Sequence, residues 1–326
     1  MKVLLIRISS LGDVLHNMPI VADILTHFPD AQIDWVVEEA FVDLVKLNSA
    51  VHKIIPFSLR RWRKNLLSAS TYTELAAFKK SLQSETYDVI LDTQGLLKTG
   101  VILGLAHGGV KVGLANGTEG SGFESTSRLF HTLSVPVKKL THAVMRGRLV
   151  AARALGYMDK MKNAPTDFGL SIPDLQPDWL PKNDYVVFFH GTAGAHKKWP
   201  AHDWITLGKH INGLGYPILL AWGNRTELLE AEQLASHSSD VRVLPKLSMM
   251  EAIVLAQRAA LVVGLDTGLT HIAAAFCRPT IELYCASPRW KTEGNWSEKI
   301  INLGDKGTPP GVAEVIAAVD RLTNKP

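Results

Sequence analysis

Short apolar runs alternate with amphipathic stretches along the whole chain. Residues 3–6 form an aliphatic run typical of a strand that is buried on both faces, as in a parallel sheet. Small and polar residues follow at 9–13, and apolar positions at helical spacing resume at Val14. The opening therefore predicts a strand, a tight loop and a helix, and the alternation that follows predicts parallel sheets covered by helices.

The same pattern locates the remaining elements. In the first half it predicts strands at 2–8, 33–37, 53–55, 87–91 and 110–114, and helices at 21–27, 71–84, 96–107 and 142–155. In the second half it predicts strands at 185–189, 217–221, 241–244, 261–265, 280–284 and 299–303, and helices at 202–214, 226–236, 249–257, 269–276 and 311–322.

A stretch with little periodicity separates the two halves. It runs from 159 to 183 and contains four prolines, at 165, 173, 177 and 181. We expect an N-terminal domain over 1–165, a linker over 166–183 and a C-terminal domain over 184–326. The last helix, 311–322, is a candidate to pack back on the N-terminal domain.

Composition narrows the class of protein. The chain has 326 residues, of which 46% are hydrophobic and 20% charged, the balance of a soluble globular protein. The net charge of +4 suits an anionic partner and does not indicate nucleic acid. Two cysteines, Cys277 and Cys285, and no secretory pattern indicate a reducing compartment without disulfides. No apolar run reaches the roughly 18 residues of a membrane span, so we expect any membrane association to be peripheral.

The loop after the first strand carries one carboxylate, Asp13. In a doubly wound sheet, ligands bind at the carboxyl ends of the strands, where this loop lies. Asp13 is either a helix N-cap or a general base that takes a proton from an acceptor hydroxyl. No G-x-G-x-x-G follows the strand, which argues against a nicotinamide dehydrogenase.

Three loops of the second half also follow predicted strands, and together they could surround one nucleotide. Residues 266–271 open a helix whose N–H groups and dipole suit a phosphate, with Thr267, Thr270 and His271 close by. Residues 190–200 are small and then basic, so that Lys197 could meet a diphosphate. Glu227 could accept from ribose hydroxyls. The alternatives are a capped helix with a buried histidine, solvated lysines, and a first-turn glutamate that favours the helix dipole.

The first half contains a basic segment in which Arg60, Arg61, Arg63 and Lys64 surround Trp62. It is either a solvated surface segment or a site for phosphate, carboxylate or anionic lipid. The loop at 92–98 ends another strand of this half and is placed to line the same site. No D-x-D, C-x-x-C or H-E-x-x-H motif indicates a metal. A departing diphosphate would then rely on Lys197 and a helix N-terminus.

These residues together resemble the lipopolysaccharide heptosyltransferases of glycosyltransferase family nine, nearly end to end. The most specific pieces are SSLGDVLH at 9–16, WVVEE at 35–39, RRWRK at 60–64, DTQG at 92–95 and DTGLTH at 266–271. The second and third of these resemble the type I branch of the family rather than type II, which adds the second heptose.

The resemblance implies a GT-B fold, with two Rossmann-like domains that face each other across a cleft. It also implies transfer of L-glycero-D-manno-heptose from ADP-heptose to a Kdo sugar of lipid A, with inversion, without a metal or cofactor, and at the cytoplasmic face of the inner membrane. By position, Asp13 would be the base. The donor would be held by Thr192, Ala193, Lys197, Glu227, Leu247, Asp266, Thr267, Gly268 and His271. The acceptor would be held by Ser10, Arg60, Arg61, Arg63, Lys64 and Gln94.

Three departures from the family pattern stand out. Ala193 replaces a second threonine, which removes one phosphate donor, and Leu247 replaces a methionine beside the adenine. Residues 284–287 replace a turn that more usually contains Tyr-Gly. None of the three touches Asp13.

Other functions remain open at this point. A family-nine transferase with another acceptor would share the chemistry. A sugar-nucleotide epimerase of the same two-domain plan would act without an acceptor and would not need the basic segment. A nucleotide-binding module without catalysis would bind ADP-sugar and release no ADP.

Overall fold

The computed structural model describes residues 1–65, 67–192 and 194–323. It divides into two compact units, Met1–Ser171 and Ile172–Pro326, and the boundary falls inside the stretch expected to be the linker. Of the predicted donor residues, Ala193 lies outside the described part of the chain.

The first unit is a six-stranded parallel sheet in the order β3-β2-β1-β4-β5-β6. Its strands are β1 Lys2–Ile6, β2 Gln32–Glu38, β3 Val51–Phe57, β4 Tyr87–Asp92, β5 Gly108–Leu114 and β6 Leu133–Val135. Its helices are α1 Leu11–Leu15, α2 Pro19–His27, α3 Val42–Lys46, α4 Leu59–Trp62, α5 Ala69–Leu82, α6 Leu97–Leu105 and α7 Ala143–Leu155.

The second unit repeats this plan, with a parallel sheet in the order β12-β11-β10-β7-β8-β9. Its strands are β7 Val186–Phe189, β8 Ile218–Leu220, β9 Val241–Val243, β10 Leu261–Leu265, β11 Thr280–Tyr284 and β12 Ile300–Gly304. Its helices are α8 Ala201–Gly213, α9 Arg225–Ala235, α10 Met249–Arg258, α11 Gly268–Ala275 and α12 Val312–Thr323.

Burial explains why the central strands read as unbroken apolar runs. Residues 3–6 of β1 are fully buried, and so are nearly all of β10, because helices cover both faces of each sheet. The last helix, α12, packs on α8, β11 and β12, and its Val315 and Val319 belong to the core of the second unit.

The strand order fixes where chemistry can occur. Numbered within its own unit, each sheet has the doubly wound order 3-2-1-4-5-6. The direction in which successive strands are added across the sheet therefore reverses between the first and fourth strands, which are themselves parallel. The crevice outside their carboxyl ends is where such sheets bind ligands. In the first unit this crevice lies beyond β1 and β4, and in the second unit beyond β7 and β10.

The predicted α/β class with two parallel sheets is confirmed, and every predicted strand and helix is present. The pattern missed β6, α3 and α4, which are three to five residues long and too short to show a period. Within the described ranges, no helix is long and apolar enough to cross a bilayer.

Candidate active site

Asp13 lies in the first turn of α1, immediately after β1. Its Oδ2 accepts hydrogen bonds from the Ser10 backbone N–H at 3.2 Å and from the Ser10 hydroxyl at 2.9 Å. The N-cap residue of α1 is Ser10, and Asp13 is the third helical residue of a capping box, so the interpretation of Asp13 as the N-cap itself is wrong. Its side chain is nevertheless 35% exposed, so it remains accessible to a substrate.

Two arginines hold the other oxygen of Asp13. The Arg7 guanidinium lies 2.6 Å from Oδ1, and the Arg146 guanidinium lies 3.4 Å from the same atom. Both arginine side chains are buried, and each is fixed by a second bond, Arg7 to the Thr93 carbonyl at 2.7 Å and Arg146 to the Thr118 hydroxyl at 2.9 Å. The carboxylate is therefore held in one orientation by groups that cannot move freely.

The arginines also set the charge of Asp13. Burial favours the neutral acid, but the charges of Arg7 and Arg146 outweigh it and hold the pKa of Asp13 well below its usual range. The group is ionised throughout the neutral range, and it is a weaker base than an ordinary aspartate.

Gln94 joins the loops that follow β1 and β4. Its Oε1 accepts from the Ile8 backbone N–H at 3.0 Å, and its amide nitrogen donates to the Ser9 hydroxyl at 3.3 Å. Asp92, which is fully buried, fixes the loop by accepting from the N–H groups of Gln94 and Gly95. Burial raises the pKa of Asp92 to about 6 despite these bonds. The structure thus brings Asp13, Ser10 and Gln94 to one crevice.

The basic segment is arranged differently from its sequence-based interpretation. The Trp62 indole points into the core, where its ring centroid lies 5.2 Å from Phe57 and 5.9 Å from Phe78, so the cations do not surround it. Arg61 pairs with Glu39 at 2.9 Å and Glu74 at 2.6 Å.

The other three cations of the segment remain available. Arg60, Arg63 and Lys64 are exposed, and they make no ion pair within the part of the chain that the structure describes. Arg60 lies over the Phe41 ring, with its guanidinium carbon 5.9 Å from the centroid. An incoming anion would therefore find three open cations here and a fourth, Arg61, that is already engaged.

In the second unit, Asp266 directly follows β10, and His271 lies in the first half of α11. The His271 ring is buried, with Nε2 3.0 Å from Asp266 Oδ1 and Nδ1 2.8 Å from Glu282 Oε1. Glu282, on β11, is itself fully buried and also accepts from the Tyr284 hydroxyl at 2.9 Å and the Gly294 N–H at 3.1 Å. One imidazole thus lies between two carboxylates.

This arrangement makes His271 a cation. Burial by itself would lower the pKa of His271, but the charges of Glu282 and Asp266 raise it to about 10. Burial likewise opposes ionisation of Asp266, yet the His271 contact, with help from Ser287 and Lys197, holds the pKa of Asp266 far below its usual range. The group therefore carries a fixed pattern of charge at neutral pH.

Lys197 links the two loops beyond β7 and β10. It ends the 3-10 turn Ala195–Lys197, and its Nζ lies 3.7 Å from Asp266 Oδ2. Thr267 is the N-cap residue of α11, its hydroxyl lies 3.2 Å from that of Thr270, and Gly268 is the first residue of the helix. A lysine, two hydroxyls and the N-terminus of α11 therefore occur together where a diphosphate was predicted.

Glu227 and Gly191 bring the loop after β8 against the loop after β7. The Glu227 carboxylate accepts from the Gly223 N–H at 2.7 Å and from the Asn224 side-chain amide at 2.8 Å. A Cβ atom on Gly191 would lie 2.7 Å from the Glu227 carboxyl carbon, so only glycine allows this approach. Thr192 follows in the same loop and is half-buried, while Leu247, also half-buried, lies between β9 and α10.

The sequence-based analysis missed the partners that set these charges. Arg146 is 133 positions from Asp13, and nothing in a helical pattern marks it as a ligand of that residue. Glu282 did leave a signal, because it is the one charged residue in an otherwise uncharged strand, β11. Arg7 ends an apolar run in the same way.

Among the described residues, no three His, Cys, Asp or Glu side chains are grouped so that they could hold a metal ion. The positive groups at the two crevices are side chains of arginine, lysine and histidine, together with helix N-termini.

Comparison with known proteins agrees with this arrangement. The model of glycosyltransferase family 9 (heptosyltransferase) matches residues 75–313. The lipopolysaccharide heptosyltransferase 1 of Salmonella typhimurium LT2 is 37% identical over 285 residues, which cover 87% of this chain and 88% of that protein. The lipopolysaccharide heptosyltransferase 1 of Pseudomonas aeruginosa PAO1 is 37% identical over 284 residues, covering 87% of this chain and 78% of that one.

A solved structure extends the likeness to nearly the whole fold. The E. coli heptosyltransferase WaaC with ADP superposes with a TM-score of 0.83 at 33% identity, over 98% of each chain. The doubled Rossmann-like sheet order is thus the GT-B fold that the family resemblance implied. The family model and the relatives together show that the chain belongs to glycosyltransferase family 9, the heptosyltransferase family.

Proposed function

We propose that this enzyme transfers L-glycero-D-manno-heptose from ADP-heptose to a Kdo residue of the lipid A inner core, with inversion and without a metal. The observation that carries the proposal is a partly exposed carboxylate, Asp13, which is ionised at neutral pH and fixed at the ligand-binding crevice of a family 9 chain. The lipopolysaccharide heptosyltransferase 1 relatives supply the substrate class.

The donor would bind to the second unit. Lys197, Thr267 and the N-terminus of α11 are placed to meet the diphosphate, Thr192 would add a hydroxyl donor, and Glu227 would accept from the ribose hydroxyls. His271 would act indirectly, because both of its ring nitrogens already contact carboxylates. It holds Asp266, and through Asp266 it fixes the position of Lys197.

The reaction would be a single displacement. The acceptor hydroxyl oxygen bonds to the anomeric carbon as the bond from that carbon to the diphosphate breaks, and ADP departs with the electron pair. The hydroxyl proton passes to Asp13. A weak base suffices because the transition state resembles an oxocarbenium ion, and the attacking hydroxyl becomes acidic as its oxygen gains positive charge.

The acceptor would meet the first unit, at Ser10, Gln94 and the exposed cations Arg60, Arg63 and Lys64. The same cations support our proposal of peripheral association with the cytoplasmic face of the inner membrane, since each basic residue near anionic lipid contributes about 1 kcal/mol.

The test is incubation with ADP-heptose and Kdo-bearing lipid A, with ADP release and product anomeric configuration measured in the presence and absence of EDTA. We expect ADP release that requires both substrates, inversion at the anomeric carbon, and no effect of EDTA. Conversion of ADP-heptose without an acceptor would indicate an epimerase. Binding without ADP release would indicate a module that does not catalyse transfer. Activity on a different sugar acceptor alone would replace the proposed substrate.

A further inference from the structure

An apolar groove of about 810 Å³ runs between α5 and α6 in the first unit. Three buried side chains, Phe57, Phe78 and Ile102, line it. Leu75 from α5 and Val101 from α6 also line it, and both are open to solvent at 38% and 40% exposure. Of the crevice residues described above, Arg63 of the basic segment is the one that also lines this groove.

A row of apolar side chains runs along the whole length of α6 where it lines the groove. Leu97, Val101 and Leu105 stand at intervals of four residues, and each is at least 40% exposed. A surface helix ordinarily presents polar residues to solvent at such positions. The three side chains form a continuous apolar wall about 12 Å long.

Cations surround this apolar surface. Arg63, Lys79 and Lys98 contribute to the groove, and the carboxylate there, Glu124, already accepts from the Leu97 N–H at 2.6 Å. Burial lowers the pKa of Lys98; the charge of Glu38 opposes this shift, and the charges of Arg63 and Arg60 add to it. The rim therefore has more positive charge than its own carboxylates balance.

The groove adjoins the loop after β4, which also carries Gln94 of the proposed acceptor crevice. It begins at Leu96, two residues after Gln94, and Arg63 belongs both to the groove and to the basic segment. A molecule whose polar end lies beside Gln94 could extend an apolar part directly along α6.

We propose that this groove holds one acyl chain of the anionic, acylated acceptor, with the acceptor's negative groups against Arg63, Lys79 and Lys98. The inference rests on the proposed function. The concave shape and the buried aromatic side chains favour a single inserted chain over contact with a flat bilayer, which a projecting apolar surface would serve better.

The test compares two substitutions at one solvent-open position. Val101→Gln makes the wall polar, whereas Val101→Trp fills the groove and leaves the surface apolar. Leu140→Gln is the matched control, because Leu140 is an exposed apolar residue of the same unit that does not line the groove. Each protein is assayed with the acylated acceptor and with its fully deacylated form, both below the concentration at which micelles form.

We expect both Val101 variants to raise KM for the acylated acceptor by at least about tenfold, and to leave KM for the deacylated acceptor unchanged. Decyl phosphate, titrated as a probe by NMR, should bind the wild type and the Leu140 variant, and bind both Val101 variants at least about tenfold more weakly. Because the probe needs no catalysis, it reports on the groove even if the proposed transfer is absent.

Unchanged KM and probe binding in both Val101 variants would overturn the inference. A second result would also overturn it: the Gln variant binds acceptor and phosphatidylglycerol vesicles more weakly than the wild type, while the Trp variant binds both equally well or more strongly. That result indicates contact with a bilayer. Circular dichroism identifies a variant that fails to fold, and Leu105→Gln then replaces it.

Discussion

The two crevices occupy the same place in two sheets of the same order, and their charges are opposite. Beyond β1 and β4, one carboxylate, Asp13, lies between two guanidinium groups. Beyond β7 and β10, one imidazole, that of His271, lies between two carboxylates. The repeated fold therefore fixes the location of each site, and a few side chains decide which charge it presents.

Exposure separates the two sites further. Asp13 is 35% exposed and can reach a substrate, whereas His271 is 3% exposed and both of its nitrogens contact protein oxygens. Asp13 is suited to taking part in the reaction. His271 is suited to holding Asp266 and Lys197 where a leaving group would be stabilised.

The largest expected effect comes from removing the exposed carboxylate. Asp13→Ala should lower turnover by about two to four decades, the usual scale for loss of a general base. Steady-state ADP release measures it. Turnover within a few fold of the wild type would remove Asp13 from its proposed role.

A substitution in the buried cluster of the second unit should lower the stability of that unit. Glu282→Gln removes one charge beside His271 and replaces one of the two acceptor oxygens with an NH2 donor. Either His271 or the pair Tyr284 and Gly294 then loses its acceptor, so we expect a loss of about 3–5 kcal/mol in the free energy of unfolding of the second unit. Urea denaturation followed by tryptophan fluorescence measures it.

The same pair predicts a pH dependence of stability. The pKa of His271 is about 10 in the folded chain, above its ordinary value, so its ion pairs stabilise the fold fully below about pH 6.5 and the contribution is lost as the pH rises through about 10. Wild-type Tm should fall across that window, and it should fall less in Glu282→Gln. Parallel curves for the two proteins would show that His271 is not the group responsible.

Lys197→Ala should have the next largest effect. Loss of a charged donor to a diphosphate should weaken ADP-heptose binding, or slow its departure as ADP, by about 10- to 100-fold. Exposed Lys80, which lies on the other unit and does not line the apolar groove, gives a matched lysine-to-alanine control for the donor site. Kinetics equal to those of the wild type would reject the role of Lys197.

The smallest effect concerns the arginine pair, Arg7 and Arg146, that holds Asp13. Arg146→Met should raise the pKa of Asp13 toward the ordinary range near 4, because one of the two opposing charges is gone. The acid limb of kcat/KM should then move to higher pH, with a change of only several fold at pH 7. Arg61→Met, whose guanidinium pairs with Glu39 and Glu74 instead, should leave the limb in place. Identical acid limbs in wild type and Arg146→Met would contradict the claim that Arg146 lowers the pKa of Asp13.

The sequence was sufficient for the sheets and for the positions of the loops. Strands buried on both faces must be apolar runs, and the polar residues that interrupt them must lie at strand ends, which is how Asp13, Asp266 and Lys197 were found. Three-residue β6 could not be found this way, because it has no measurable period.

The environment of each site residue could not be read from the pattern. The pKa of Asp13 depends on Arg146, a residue of α7 that is distant in the sequence and that the fold brings next to Asp13. The direction of Trp62 was equally hidden, since a basic run with one indole does not show whether that indole packs against Phe57 and Phe78 or faces solvent. Contacts between distant elements decide charge and exposure, and local spacing carries no record of them.

The most direct test of this division between the two crevices is calorimetric titration of ADP into wild type, Asp13→Ala and Lys197→Ala. Asp13→Ala should bind ADP within about twofold of the wild-type Kd, and Lys197→Ala should bind it at least about tenfold more weakly. A loss of ADP affinity in Asp13→Ala as large as that in Lys197→Ala would contradict the assignment of donor binding to the second unit and proton acceptance to the first.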